Sequence, residues 1–402
     1  YERLITGGDI TLFSPSDVPG LYDAFYADQD RFRELYETAE RNTRLRKKSI
    51  PAAQLFSMFM EERKNTGRIY LQNVDNANDH GSFWPEVAPI RQSNLCAEID
   101  LPTKPLNDIN DPEGEISLCT LSAINWGNVK QPEDFERACT LAVRGLDALL
   151  SYQNYPILAA QLSTEKRRPL GVGIINFAFF MAKHDLSYQD ITPEGLELID
   201  EYAEAWSYYL IKASADLAVE QGAIPGVMET KYGNGITPNQ TYKKDLDELI
   251  PHKERMDWMG LRKQLAATGI RNSTLMALMP SETSAQVANA TNGIEQSKHG
   301  VLKQVVPQYH HLKNKYDLLW DQKSPQGYLK IMAVLQKYIE QDISVNTSYN
   351  PQFFEDEKIP MSVLLQDLLM FYKYGGKQLY YFNTYDGQGE LDVDKMTEEP
   401  LA

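Results

Sequence analysis

The chain has 402 residues, 42% of them hydrophobic, enough for one large α/β domain or two ordinary ones and unlike a disordered or fibrous class. With 40 basic against 56 acidic residues the formal charge is −16, which argues against an electrostatic hold on duplex nucleic acid but leaves room for a local basic pocket around one phosphorylated molecule. No apolar run approaches the ~20 residues of a spanning helix, YERLITGGDI lacks a signal peptide's regions, and three cysteines cannot form a secreted disulfide scaffold, so a cytoplasmic protein without membrane contact is expected.

In chain order, Pro51 suits a first helical position, residues 52–66 carry Leu55, Phe56, Phe59 and Met60 at helical spacing, Gly67 stops the run, and 68–73 reads as a strand. Read as extended, SNLCAEID at 93–100 puts Asn94, Cys96, Glu98 and Asp100 on one face and Leu95, Ala97, Ile99 and Leu101 on the other. NDINDPEG at 107–114 is a loop, and Glu115–Ile124 alternates like a strand. A helix from about 133 to 152 has Phe135, Cys139, Ala142, Leu146 and Leu149 on its apolar stripe, and a longer one starts at Thr192-Pro193 and stops at Gly222. Leu275–Pro280 reads as a strand entering a turn and a helix; 361–374 is an amphipathic helix, Gly375-Gly376 a stop, and 378–383 a strand. The acidic end, 386–402, reads as a solvated tail. Helices alternating with short strands point to an α/β protein with parallel strands.

Cys139, on a helical apolar stripe, reads as a small hydrophobe. Cys96 and Cys119 taken singly read as buried strand cysteines, but an amide and carboxylates beside Cys96 shift the balance, because polar groups crowded on one face are costly unless paired or used. No local pattern ties a histidine to Cys96, as a hydrolase would need, and the spacing of 23 to Cys119 does not suit a zinc site. A redox or radical role, with Glu98 as proton acceptor, fits best. Ser281, Glu282, Thr283 and Ser284 open a helix, either as plain N-capping or as an anion cradle suited to phosphate. Tyr380-Tyr381 would point to opposite faces of a strand, so at most one would face a given core. Gly171-Val-Gly173 lacks the third glycine of a dinucleotide fingerprint.

Asn94-x-Cys96-x-Glu98, SLCTLSAIN around Cys119, RNSTLMALMPSETSAQ at 271–286 and QLYYFNT at 378–384 together resemble the large subunit of aerobic class I ribonucleotide reductase, nearest the class Ia type of bacteria and phages. The resemblance implies part of a ten-stranded α/β barrel with a finger loop near 90–102 and a radical-transfer strand near 378–384. It implies Cys96 as the thiyl-forming residue, Glu98 as base, Asn94 as substrate holder and Cys119 as one of two redox-active thiols. Pro280, Ser281, Glu282, Thr283 and Ser284 would bind the diphosphate of a ribonucleoside diphosphate. Tyr380 and Tyr381 would relay a radical from a separate metal-containing small subunit, with Arg68 a neighbour of the outer tyrosine. No cofactor or metal is expected on this chain itself. Nucleotide effectors, the second thiol and part of the barrel would lie on an N-terminal part that this chain lacks, as a split subunit or a fragment. Thioredoxin or glutaredoxin would be the reductant, and a phage protein would work in the host cytoplasm. Against the family pattern, the segment 292–298 would be shorter than the family's loop, and the residues up to Ala402 show no counterpart of the family's tail cysteine pair. A glycyl-radical enzyme would show its motif before the C-terminus, a cobalamin-type reductase would not need Tyr380-Tyr381, and a non-catalytic or regulatory remnant would not keep Asn94, Cys96, Glu98 and Cys119.

Overall fold

The computed structural model describes residues 1–297, 312 and 315–385. The expected tail at 386–402 and Lys298 lie outside them. The chain opens with β1 (Asp9–Leu12) paired antiparallel with β2 (Lys48–Pro51). Pro51 closes β2 in extended backbone and is the N-cap of α1 (Ala52–Thr66), one position before the site expected for it. Gly67 ends α1 with φ 68, a left-handed conformation that glycine adopts without a Cβ penalty. Met60 is buried from the predicted stripe, whereas Leu55 is exposed. The strand expected over 68–73 contracts to β3 (Leu71–Gln72).

The centre is a row of short extended segments. β4 (Leu121–Asn125) and β5 (Gly171–Ile175) are parallel, with Ala123 opposite Gly173. β4 starts after Cys119, which therefore precedes the strand instead of lying within it. The Val172 N–H donates to the Leu275 carbonyl at 2.7 Å, and that of Leu278 to Asp342 at 3.0 Å, carrying the row onward. β6 (Thr347–Tyr349) follows, then β7 (Gln378–Leu379) and β8 (Phe382–Thr384); β6 is parallel to β8, while β7 is antiparallel to β3. The expected parallel arrangement thus holds for the central pairs and fails for β1–β2 and β3–β7. Among the described residues the segments do not close into a barrel.

All five residues of β5 are buried, as in a parallel strand covered on both faces. Its glycines serve close packing: a Cβ on Gly173 would come within 2.5 Å of the Met279 sulfur. Behind this row lie α2 (Phe135–Tyr152) and α3 (Pro193–Gln221). The Thr192 hydroxyl caps α3 by accepting from the Gly195 N–H at 3.2 Å, and Gly222 ends it, both as the sequence predicts. On α2, Phe135, Cys139 and Leu146 are buried, but Leu149 is 52% exposed. Val143 and Leu150 take the inner positions, since a 3.6-residue period carries the stripe to 150. Trp126, Phe135, Phe177, Phe180, Tyr202 and Trp206 form one aromatic cluster, with the two tryptophan rings 6.0 Å apart. Fully burying side chains of this size stabilises by about 1.5–3 kcal/mol each, so the row has a rigid backing. Among the described residues no helix is long and apolar enough to cross a membrane.

Candidate active site

The segment SNLCAEID is a tight turn, not an extended strand. The Ala97 N–H donates to the Asn94 carbonyl at 3.1 Å, Ser93 and Asp100 form an antiparallel bridge, and Ala97 has φ 58. A left-handed alanine costs about 1–2 kcal/mol. The Asn94 side chain offsets that cost, because its Oδ1 accepts from the N–H groups of Glu98 at 3.0 Å and Ile99 at 3.1 Å. Ala97, Ile99 and Leu101 are buried as predicted, but Leu95 at the tip is 79% exposed.

The turn gathers the predicted chemical groups by folding the chain back on itself. Asn94 Nδ2 donates to Glu98 Oε1 at 2.7 Å and reaches Cys119 Sγ at 3.6 Å. Asp100 leaves this group and is buried behind it, accepting from Gln378 Nε2 at 3.1 Å. The Asp342 N–H donates to the Glu98 carbonyl at 3.0 Å, and Ser344 Oγ donates to the Cys96 carbonyl at 2.5 Å and to Glu98 Oε2 at 3.3 Å. The turn is therefore fastened to the central row through Glu98 and Cys96.

Burial raises the Cys96 thiol pKa, the Glu98 charge raises it further, and a hydrogen bond with Tyr380 offsets part of the rise. Cys119 is exposed as a residue, yet burial of its thiol and the Glu98 charge push it up as well. Both therefore rest as protonated thiols near neutral pH, suited to hydrogen-atom or proton donation and unsuited to resting thiolate nucleophiles. Burial also raises Glu98, against the bonds from Asn94 and Ser344, so its carboxylate is a stronger base than an exposed one. Cys139 is fully buried in the aromatic core, its Sγ 3.7 Å from the Trp206 carbonyl, and takes no part.

Tyr380 and Tyr381 fall in the gap between β7 and β8. Strict alternation would set them on opposite faces. The break turns both rings to one side, with hydroxyls 2.9 Å apart and ring centroids 3.9 Å apart. Tyr70 packs on both, at 4.7 and 5.8 Å between centroids. A cavity of about 770 Å³ is lined by Cys96, Ser344, Tyr380, Tyr381 and Arg68, and by the turn from Pro280 to Ser284. Asn94, Glu98 and Cys119 cluster beside it, linked through Cys96 and Ser344.

Ser281 precedes α4 (Glu282–Val287), but its side chain makes no capping bond and lies 3.5 Å from the Met279 carbonyl. Side-chain capping by Ser281 is thereby excluded, and the first-turn N–H groups lack intrahelical acceptors. Among the described residues no group of three or more metal-ligating side chains occurs. Sequence reasoning missed Ser344, Tyr70 and Asn346, whose Oδ1 accepts from the Tyr381 N–H at 3.0 Å. Asp342, Ser344 and Asn346, alternating with Ile343 and Val345, were the one sequence signal available for two of them.

A family model described as ribonucleotide reductase, barrel domain, matches residues 1–306. The chain is 55% identical over 403 residues to a ribonucleoside-diphosphate reductase subunit alpha of Haemophilus influenzae, covering 98% of this chain and 53% of the relative. It is 54% identical to the ribonucleoside-diphosphate reductase 1 subunit alpha of Escherichia coli, with the same coverage of both. Against the subunit alpha of Enterobacteria phage T4 the identity is 44% over 410 residues, 98% of this chain and 53% of that one. The chain spans about half the length of the curated relatives it matches, and on the strength of the family model and these identities it belongs to the ribonucleotide reductase barrel-domain family.

Proposed function

We propose that this chain is the C-terminal part of a class Ia ribonucleotide reductase large subunit, and that with an N-terminal part it reduces ribonucleoside diphosphates to 2′-deoxyribonucleoside diphosphates. The observation that carries this reading is the convergence of Asn94, Cys96, Glu98 and Cys119 beside a cavity that Tyr380 and Tyr381 also line. Residues 90–102 would be the finger loop and 378–384 the radical-transfer strand of a ten-stranded barrel completed by the missing part.

A separate small subunit would supply one oxidising equivalent from its metal centre. Tyr381 and then Tyr380 would pass it inward, and Tyr380 would take the hydrogen atom of the Cys96 thiol. The thiyl radical takes the hydrogen on the 3′ carbon, re-forming the thiol and leaving a carbon radical. Glu98 accepts the 3′ hydroxyl proton while Asn94 holds the substrate, and the 2′ hydroxyl leaves as water with a proton from a thiol of the redox pair. Cys119 and a partner thiol on the missing part supply two electrons and end as a disulfide. Cys96 then returns its hydrogen to the 3′ carbon. The net change is one ribose hydroxyl and two thiols giving deoxyribose, water and a disulfide. Thioredoxin or glutaredoxin would reduce that disulfide.

The Ser281–Ser284 turn would receive the diphosphate on its free N–H groups. The hydroxyl contact of Tyr380 with Tyr381 favours a tyrosine relay over a cobalamin-type reductase. The test is reconstitution of this chain with an N-terminal part, a small subunit and dithiothreitol, following dCDP formed from CDP. The chain alone should be inactive, the assembly active, and the Cys96→Ser assembly inactive. Reduction by the chain alone would refute the need for a partner, and reduction by Cys96→Ser would refute the thiyl assignment.

A further inference from the structure

Arg63, on α1, has a fully buried side chain, and among the described residues no carboxylate lies beside it. Burial pushes its pKa down to about 10, which still leaves it a cation at neutral pH. A buried charge without an anionic partner is costly unless its donors are used elsewhere. Here both Nη groups are used on main-chain carbonyls, while the buried Nε finds no partner among the described residues. Nη1 donates to the Ile69 carbonyl and, at 2.9 Å, to that of Tyr380; Nη2 donates to that of Tyr381 at 3.3 Å. The guanidinium carbon lies 5.9 Å from the Phe382 ring centre.

These acceptors share one feature: they belong to the backbone that carries three packed tyrosines. Ile69 immediately precedes Tyr70, whose ring meets both Tyr380 and Tyr381. The other two carbonyls fall in the gap between β7 and β8, the break that turns both phenols to one side. A planar guanidinium fits such a site because its donors are held in a fixed fork; an ammonium is a point donor and cannot span the same carbonyls.

We propose that Arg63 is a positioning residue for the tyrosine relay: it clamps the gap between β7 and β8 to the Tyr70 segment, keeping the Tyr380 and Tyr381 hydroxyls in contact. The proposal rests on Tyr380 and Tyr381 being that relay. Arg63 does not touch substrate and acts only through the backbone of the two tyrosines.

The experiment uses the complete large subunit assembled with its small subunit, with 3-aminotyrosine at position 380 as a radical trap read by electron paramagnetic resonance. Arg63→Met should lower the trapped radical about tenfold or more, since a misplacement of about an ångström in a reacting pair can cost about a hundredfold. Affinity for CDP, measured by equilibrium filtration, should stay unchanged, and Arg63→Lys should recover part of the yield. Radical trapping at the parental yield in a folded Arg63→Met assembly would overturn the proposal. Should that variant not assemble, Arg63→Lys is read the same way: a reduced yield with normal CDP affinity supports the clamp, and the parental yield overturns it. Tyr381→Phe with the same trap separates the two ideas. If the radical still arrives at position 380 in that variant, the relay itself fails, whatever Arg63 does.

Discussion

Replacing Asn94 with alanine tests how the turn makes its chemistry. The amide does two separable things: its Oδ1 receives the N–H groups of Glu98 and Ile99, and its Nδ2 donates to the Glu98 carboxylate at 2.7 Å. Removing the acceptor leaves two N–H groups unmatched at about 1–3 kcal/mol each, and removing the donor forfeits a bond to a charged group of about 1.5–3 kcal/mol. Because Asn94 is half-buried and water can replace part of this, the low end applies. The turn then loses about 3.5 kcal/mol. The second effect falls on Glu98, whose pKa is raised by burial and held down by Asn94. Losing that bond moves the pKa further up, because the amide hydrogen bond favours the charged carboxylate. In the reconstituted enzyme the acid limb of CDP reduction should therefore move upward in Asn94→Ala. Amide hydrogen exchange at Glu98 and Ile99 should accelerate in the same variant. Asn94→Asp keeps the acceptor and loses the donor, so it should retain the exchange protection while still moving the limb upward. If Asn94→Ala left both the limb and the exchange rates at parental values, the assignment of Asn94 as organiser of the turn would be wrong.

Two further outcomes follow from burial. Iodoacetamide should label Cys96 and Cys119 in the native chain and Cys139 only on unfolding, as read by mass spectrometry of digests; prompt labelling of Cys139 in the native chain would contradict its place in the core. Glu340 is buried between the Leu275 and Met276 N–H groups, and burial lifts its pKa to about 7. A pKa raised in the folded state contributes stability that is full below the unfolded value and is lost as pH rises through the folded value. Glu340→Gln removes that loss, so between about pH 5 and about pH 8 it should gain on the parent by up to about 3 kcal/mol in urea unfolding. A difference that does not change with pH would refute this.

Local chemistry determined much of this protein from sequence alone. Thr192 and Gly222 bound α3 where the residues predict, Gly67 stops α1, and Cys139 is core, because caps, left-handed glycines and apolar stripes act within a few residues. The motif around Cys96 was legible as chemistry for the same reason: its amide, thiol and carboxylate are near neighbours in the chain. Their geometry was not. Alternation put them on a strand face, whereas the long-range anchors of Asp342 and Ser344 and the side-chain bonds of Asn94 make a turn, and Asp100 is drawn to Gln378. Tyr380 and Tyr381 share a side only because the strand breaks there, where Arg63 and Asn346, far away in sequence, bond their backbone. Strand pairing was equally open to the tertiary structure. Segments as short as Leu71–Gln72 and Gln378–Leu379 carry too little pattern of their own, and their direction is decided by the neighbours that satisfy their backbone.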